Sequence, residues 1–128
     1  MFDMARTAGP NRGRDQMDLE FDGAILRIRR TVDPAGLRVE GEVDATTVGE
    51  LRKALTVAIR SGGGDVRVDL GGVTFIDLAG LRVLAEAASC LPCGRVLVLS
   101  PLAGHVGHLI RLIGWDGLPG LRLPGEEA

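Results

Sequence analysis

Three features of the chain predict an α/β sandwich, a mixed sheet of four to five strands with helices packed on it. Between residues 24 and 43 two segments alternate apolar and charged side chains, as strands with one buried face do. At Asp77 the alternation gives way to helical spacing, so a strand runs directly into a helix. Val96-Leu97-Val98-Leu99 is apolar throughout, the pattern of a strand covered on both faces, which requires helices on the sheet.

Residues 1–22 mix Gly, Pro, Asn, Arg and Asp without periodicity and read as a flexible extension, leaving 23–128 as one domain. Ala24 to Arg30 sets Leu26 and Ile28 against Arg27 and Arg29. Leu37 to Val43 sets Leu37, Val39 and Val43 against Arg38, Glu40 and Glu42. The intervening Asp33-Pro34-Ala35-Gly36 has turn chemistry, so the pair is an antiparallel hairpin.

Thr47-Val48-Gly49-Glu50 fits a capping box, Thr47 covering the Glu50 N–H while Glu50 reaches back. The helix behind it runs to about Arg60 on the apolar face of Val48, Leu51, Leu55, Ala58 and Ile59, and Gly62 to Gly64 end it.

Val66 to Leu70 alternates as the next strand. Asp77 then suits the N-cap of a helix from Leu78 to about Cys90, its carboxylate accepting an orphan N–H of the first turn. On a helical wheel Arg82, Glu86 and Ser89 form a polar stripe opposite Leu81, Leu84, Ala85, Ala88 and Leu91. Leu78 falls on the polar stripe, beside the partly positive helix N-terminus, which suggests a contact surface.

After the break at Leu91-Pro92-Cys93-Gly94 comes the buried strand. Ser100-Pro101 reads as an N-cap with proline at the first helical position, opening a last helix to Ile113 that Gly114 ends. Leu121 to Leu123 is a short final edge strand.

The composition narrows the function. A chain of 128 residues holds one domain, and 45% hydrophobic with 25% charged residues is ordinary for a soluble protein. The net charge of -2 falls within residues 1–22, so the remainder is neutral and has no basic field for phosphates. At 3% aromatic residues there are few stacking platforms, and nucleic-acid binding is not expected. Neither a long apolar stretch nor a basic-apolar leader is present, so no membrane insertion and a cytoplasmic location are expected.

No candidate catalytic group assembles. Cys90-Leu91-Pro92-Cys93 matches C-x-x-C, but at the end of a helix rather than before one, where a helix N-terminus would activate a thiol. The pair reads as structural thiols, with thiol-redox chemistry as the alternative. His105 and His108 share a helix face without the carboxylate that makes a metalloprotease motif persuasive. Gly62 to Gly64 lack the Lys-Ser/Thr ending of a phosphate-binding loop. The expectation is a protein that is not an enzyme, with neither metal nor cofactor.

Three ordered segments together resemble the STAS family, the domain shared by bacterial anti-sigma-factor antagonists and the tails of sulphate transporters. Gly41-Glu42-Val43-Asp44 leading to Leu51 looks like the family's G-E-L-D segment. Val68-Asp69-Leu70 through Val73-Thr74-Phe75-Ile76-Asp77 with Gly80-Leu81 is similar to its D-L-x-x-V-x-F-I-D-S-x-G-L signature. Leu112-Ile113-Gly114-Trp115-Asp116 looks like its closing pattern.

The resemblance implies a regulatory module that docks on an anti-sigma factor of the serine-kinase type, or on a similar signalling protein. The edge it implies comprises Asp77, Leu78, Ala79, Gly80 and Arg82 with the loop of Asp44 and Thr47; a second copy of the chain is a further candidate partner. Members commonly carry a phosphorylated Ser or Thr after the signature Asp. Here that position is Leu78, followed by Ala79, so the usual phosphoacceptor is missing, and Thr74 is read as packing or hydrogen-bonding locally. Asp77-Leu78-Ala79-Gly80-Leu81 also resembles the D-x-A-G-L form of accessory subunits in transport or lipid-trafficking ATPase assemblies.

Overall fold

The computed structural model describes residues 19–22, 25–32, 35–92 and 94–124. The rest of the 1–22 extension, Cys93 and the Glu126-Glu127-Ala128 tail lie outside them. The strands are β1 Leu19–Asp22, β2 Leu26–Val32, β3 Ala35–Val43, β4 Val66–Ile76, β5 Leu97–Leu102 and β6 Leu121–Arg122. The helices are α1 Val48–Ser61, α2 Leu78–Cys90 and α3 Gly104–Leu112, with a 3₁₀ turn at Trp115–Gly117.

All six strands form one sheet in sequence order. β1, β2 and β3 are antiparallel neighbours, while β3, β4, β5 and β6 run parallel. Each parallel step needs a crossover, and α1, α2 and α3 supply them in turn. The sheet is mixed as expected, and among the described residues it counts six strands, one beyond the expected four to five. The additional strand, β1, lies inside the stretch read as an extension, where four residues are too few to display a period. Its backbone pairs with β2 from Leu19↔Arg29 to Asp22↔Arg27 across a bulge.

One contiguous core joins the inner face of the sheet to the helices, with Leu26, Ile28, Val39, Val68, Leu70 and Leu99 facing Leu51, Leu55, Leu81, Leu84, Val106 and Ile110. Strand alternation and helical spacing both meet there, as the sequence patterns require. On the opposite face of the sheet stand Arg38 and Asp69, paired at 3.2 Å. Val98 is the buried member of β5 outside the core cluster. It lies in register between Arg67 and Arg122, so long arginine stems rather than a second helical layer flank it.

Ser100 and Pro101 do not start the last helix. They belong to β5, joined by a cis peptide bond, and α3 begins at Gly104 with Ala103 at the N-cap position. The strand therefore extends three residues past the apolar run, because Leu102 continues the pairing with Leu70 of β4.

A chain beginning at Leu19 keeps β1, and one beginning at Gly23 lacks it. Removing an edge strand uncovers the backbone groups of β2 that it pairs. The expected outcome is a lower Tm for the shorter chain, by a few degrees, measured by circular dichroism on both.

Candidate functional site

β3 and β4 end level, Val43 in register with Ile76, so the residues that follow them leave the sheet side by side. Asp44 follows one strand and Asp77 the other. The Asp77 N–H donates to the Val43 carbonyl at 3.1 Å and ties the two exits together. The fold thus joins two segments that lie 33 residues apart in the chain.

In the first segment the Asp44 carboxylate organises the turn. Its Oδ1 accepts the Thr46 N–H at 2.8 Å, the Thr46 hydroxyl at 2.6 Å and the Thr47 N–H at 3.2 Å. The Asp44 carbonyl also accepts the Val48 N–H at 2.8 Å, so the helical turn starts at Asp44. The expected capping box does not form. Thr47 Oγ1 instead accepts the Asp44 N–H at 3.0 Å and donates to the Glu42 carbonyl at 3.1 Å, while Glu50 meets Lys53 at 3.4 Å.

Thr47 turns back because the strand end offers it both a donor and an acceptor, whereas its own backbone is already helical at φ -111° and ψ -13°. A capping side chain needs the extended backbone that directs its oxygen towards the first turn. The Thr46 hydroxyl foremost, then the Thr46 N–H, with the Thr47 N–H and hydroxyl adding, hold the Asp44 carboxyl below the usual aspartate range.

In the second segment the expected cap is present. Asp77 is extended at φ -105° and ψ -174°, and its Oδ1 accepts the Gly80 N–H at 3.1 Å. Gly80 is buried, and a Cβ there would stand 2.7 Å from both Ile76 Cγ1 and Val43 Cγ1. Its missing side chain lets α2 start hard against the two strand ends. Asp77 and Gly80 therefore serve the junction itself, and the exposed surface is formed by the residues around them.

Those residues are Leu78, half exposed at 50%, the partly exposed Ala79, and Arg82 one turn further on the same face. On the loop, Ala45 and Thr46 are exposed. Phe75, at the end of β4, is likewise exposed, at 48%, and sequence reasoning missed it. Plain alternation from Val73 would turn Phe75 inward. A bulge, where Gly41 pairs Val73 but Glu42 pairs Phe75, reverses it and lets Ile76 take the inner position.

The one legible signal was the three-residue spacing of Leu70, Val73 and Ile76, which no regular strand satisfies on one face. Ile25 is also exposed in the same cross-strand row, its carbonyl accepting the Glu42 N–H at 3.0 Å. Thr74 is exposed rather than packed.

The remaining candidates stand apart from this edge. Cys90 is a free, exposed thiol at the far end of α2, and Cys93 lies outside the described residues. His105 and His108 are both exposed on α3. Among the described residues no cluster of three or more His, Cys, Asp or Glu side chains could hold a metal, and no helix is long and apolar enough to cross a membrane.

Replacing Asp77 with Ala should cost about 0.5–2 kcal/mol of stability by removing the cap, and Asp77→Asn should retain most of it, as read by urea denaturation. The lowered pKa of Asp44 sets a pH window. Its stabilisation is complete above the ordinary aspartate value of about 3.9 and is lost as pH falls through the lower folded-state value. In an NMR titration the Thr46 and Thr47 amide resonances should accordingly shift below the ordinary aspartate range, and Asp44→Asn should abolish that step.

The comparisons with known proteins agree with this architecture. A crystal structure titled as an anti-sigma factor antagonist from Mycobacterium paratuberculosis superposes with a TM-score of 0.59 at 25% sequence identity, covering 74% of this chain and 81% of that one. No curated protein sequence matches the chain. The family profile described as "Mlab, STAS domain" matches residues 26–123, which spans β2 to just beyond β6 and includes both segments of the site. The chain belongs to the STAS-domain family.

Proposed function

We propose that this STAS domain is a non-catalytic, cytoplasmic regulatory module. Its docking edge is Leu78, Ala79 and Arg82 on α2, the Asp44–Thr47 loop and Phe75, and its partner is an anti-sigma factor of the serine-kinase/ATPase type or a similar signalling protein. The observation that carries this reading is the half-exposed Leu78 in the first turn of a capped helix, with a half-exposed Phe75 three residues earlier at the end of β4. An exposed apolar side chain at a helix start tied to an internally bonded turn makes a preorganised contact surface, because little loop ordering is left for the partner to induce. Covering the exposed half of Leu78 contributes on the order of 1 kcal/mol.

The same position argues against a phosphorylation switch at the usual site. Phosphate would add about 1.5 to 2 negative charges to a contact surface. Neither Leu78 nor Ala79 has a hydroxyl to receive it, so docking here is constitutive or is controlled elsewhere.

The D-L-A-G-L sequence at 77–81 favours a second reading, an accessory subunit of a transport or lipid-trafficking ATPase assembly, which would use the same edge. Co-purification from native cells separates the two. A soluble ATPase-fold partner supports the first reading, and a membrane transporter complex supports the second.

Leu78→Asp tests the edge itself. An acidic group in the first turn interacts favourably with the helix dipole by about 0.3–1 kcal/mol, so the Tm should hold or rise slightly. Partner affinity should fall at least tenfold, since the new charge must be desolvated on docking. Unchanged affinity in the folded variant would move the docking edge elsewhere. Should the chain be a dimer by light scattering, dissociation of the variant would assign the edge to a second copy.

A further inference from the structure

We infer that the groove between the C-terminal halves of α1 and α2 is a second site, separate from the docking edge, and that it binds a small amphipathic anion of the acyl-carboxylate class. The groove encloses about 660 Å³. That is within the roughly 300–1,000 Å³ of small-molecule pockets. Its floor is apolar, formed by Leu55 and Ile59 of α1 and by Val83 and Ala87 of α2.

The rim is cationic. Arg52, Arg60 and Arg95 line it against a single carboxylate, Glu86. Arg95 is already held in place, donating through Nε to the Gly64 carbonyl at 2.6 Å and through Nη2 to the Ile59 carbonyl at 3.2 Å. A guanidinium fixed this way loses little freedom when its remaining N–H groups meet an anion. Arg60 forms no ion pair among the described residues. Arg52 meets Glu86 across the helices at 3.2 Å, but both side chains are more than half exposed, and an exposed pair of this kind is readily exchanged.

These features select the ligand. A charge excess on the rim excludes cations and weakens neutral molecules, and the apolar floor leaves a purely polar anion without a partner for half of its surroundings. Arginine receives carboxylate oxygens in a two-pronged geometry. An acyl carboxylate satisfies the floor and the rim together.

The test uses the full chain and three ten-carbon probes below their micelle-forming concentrations: decanoate, decanol and decyltrimethylammonium, titrated by calorimetry. Decanoate should bind at one site per chain, decanol at least tenfold more weakly, and the ammonium compound not at all. Two exposed-residue variants should then move decanoate affinity in opposite directions. Arg60→Glu should weaken it at least tenfold, and Glu86→Gln, which frees Arg52, should strengthen it several-fold. In a Cys93→Ser background, decanoate should also slow alkylation of Cys90, which lies on the groove wall, at least threefold. Equal binding of all three probes, an affinity that neither variant changes, or an unprotected Cys90 would overturn the assignment. Capture of an acidic apolar peptide without any binding of decanoate would also overturn it, by giving the groove to a partner chain. Leu78→Asp should leave decanoate affinity unchanged, so failure here and failure at the docking edge are distinguishable.

Discussion

The hydrogen bond from the Asp77 N–H to the Val43 carbonyl is the point on which the junction of β3, β4 and α2 depends. It joins the exits of two parallel strands whose last residues, Val43 and Ile76, are already in register. Everything nearby is arranged so that this junction closes tightly. Gly80 has no side chain to separate α2 from the strand ends, and the Asp77 carboxylate satisfies the Gly80 N–H that the helix start would otherwise leave unpaired. Because Asp77 uses its backbone for the sheet and its side chain for the helix, the next residue, Leu78, is carried outward in a defined direction.

The loop opposite reaches the same result by different chemistry. Asp44 holds the amides of Thr46 and Thr47 with one carboxylate oxygen, and Thr47 returns its hydroxyl to the end of β3. Both segments are thus internally satisfied, and what they leave exposed is apolar surface with Arg82 alongside. At its other end α2 leaves an apolar groove against α1 bounded by arginines. One helix therefore separates the proposed docking edge from the proposed small-molecule site, with its buried face, Leu81, Val83, Leu84 and Ala88, anchoring it between them.

Much of this was legible in the residues. The alternation of Leu26, Ile28, Leu37 and Val39 specified the hairpin, and the change of period at Asp77 located both the start of α2 and its cap, since a short acidic side chain before an apolar stripe has one favourable use there. The wheel placed Leu78 outside the core for the same reason. Thr47 shows the limit of such arguments. The letters of a capping box are present, yet the cap is a matter of backbone geometry, and a strand end lying close by competes for the hydroxyl.

Sequence by itself determined the α/β class, the family resemblance, the order of the central elements and the loss of a hydroxyl at position 78, because each is written in local periodicity or in residue identity. Tertiary structure alone decided the six-strand count, the outward turn of Phe75 and the continuation of β5 through Pro101, because each depends on backbone pairing with a strand distant in the chain. It alone also decided the burial of Gly80 and the groove between α1 and α2. Those follow from how closely two elements approach, and the spacing of residues along one element carries no record of that distance.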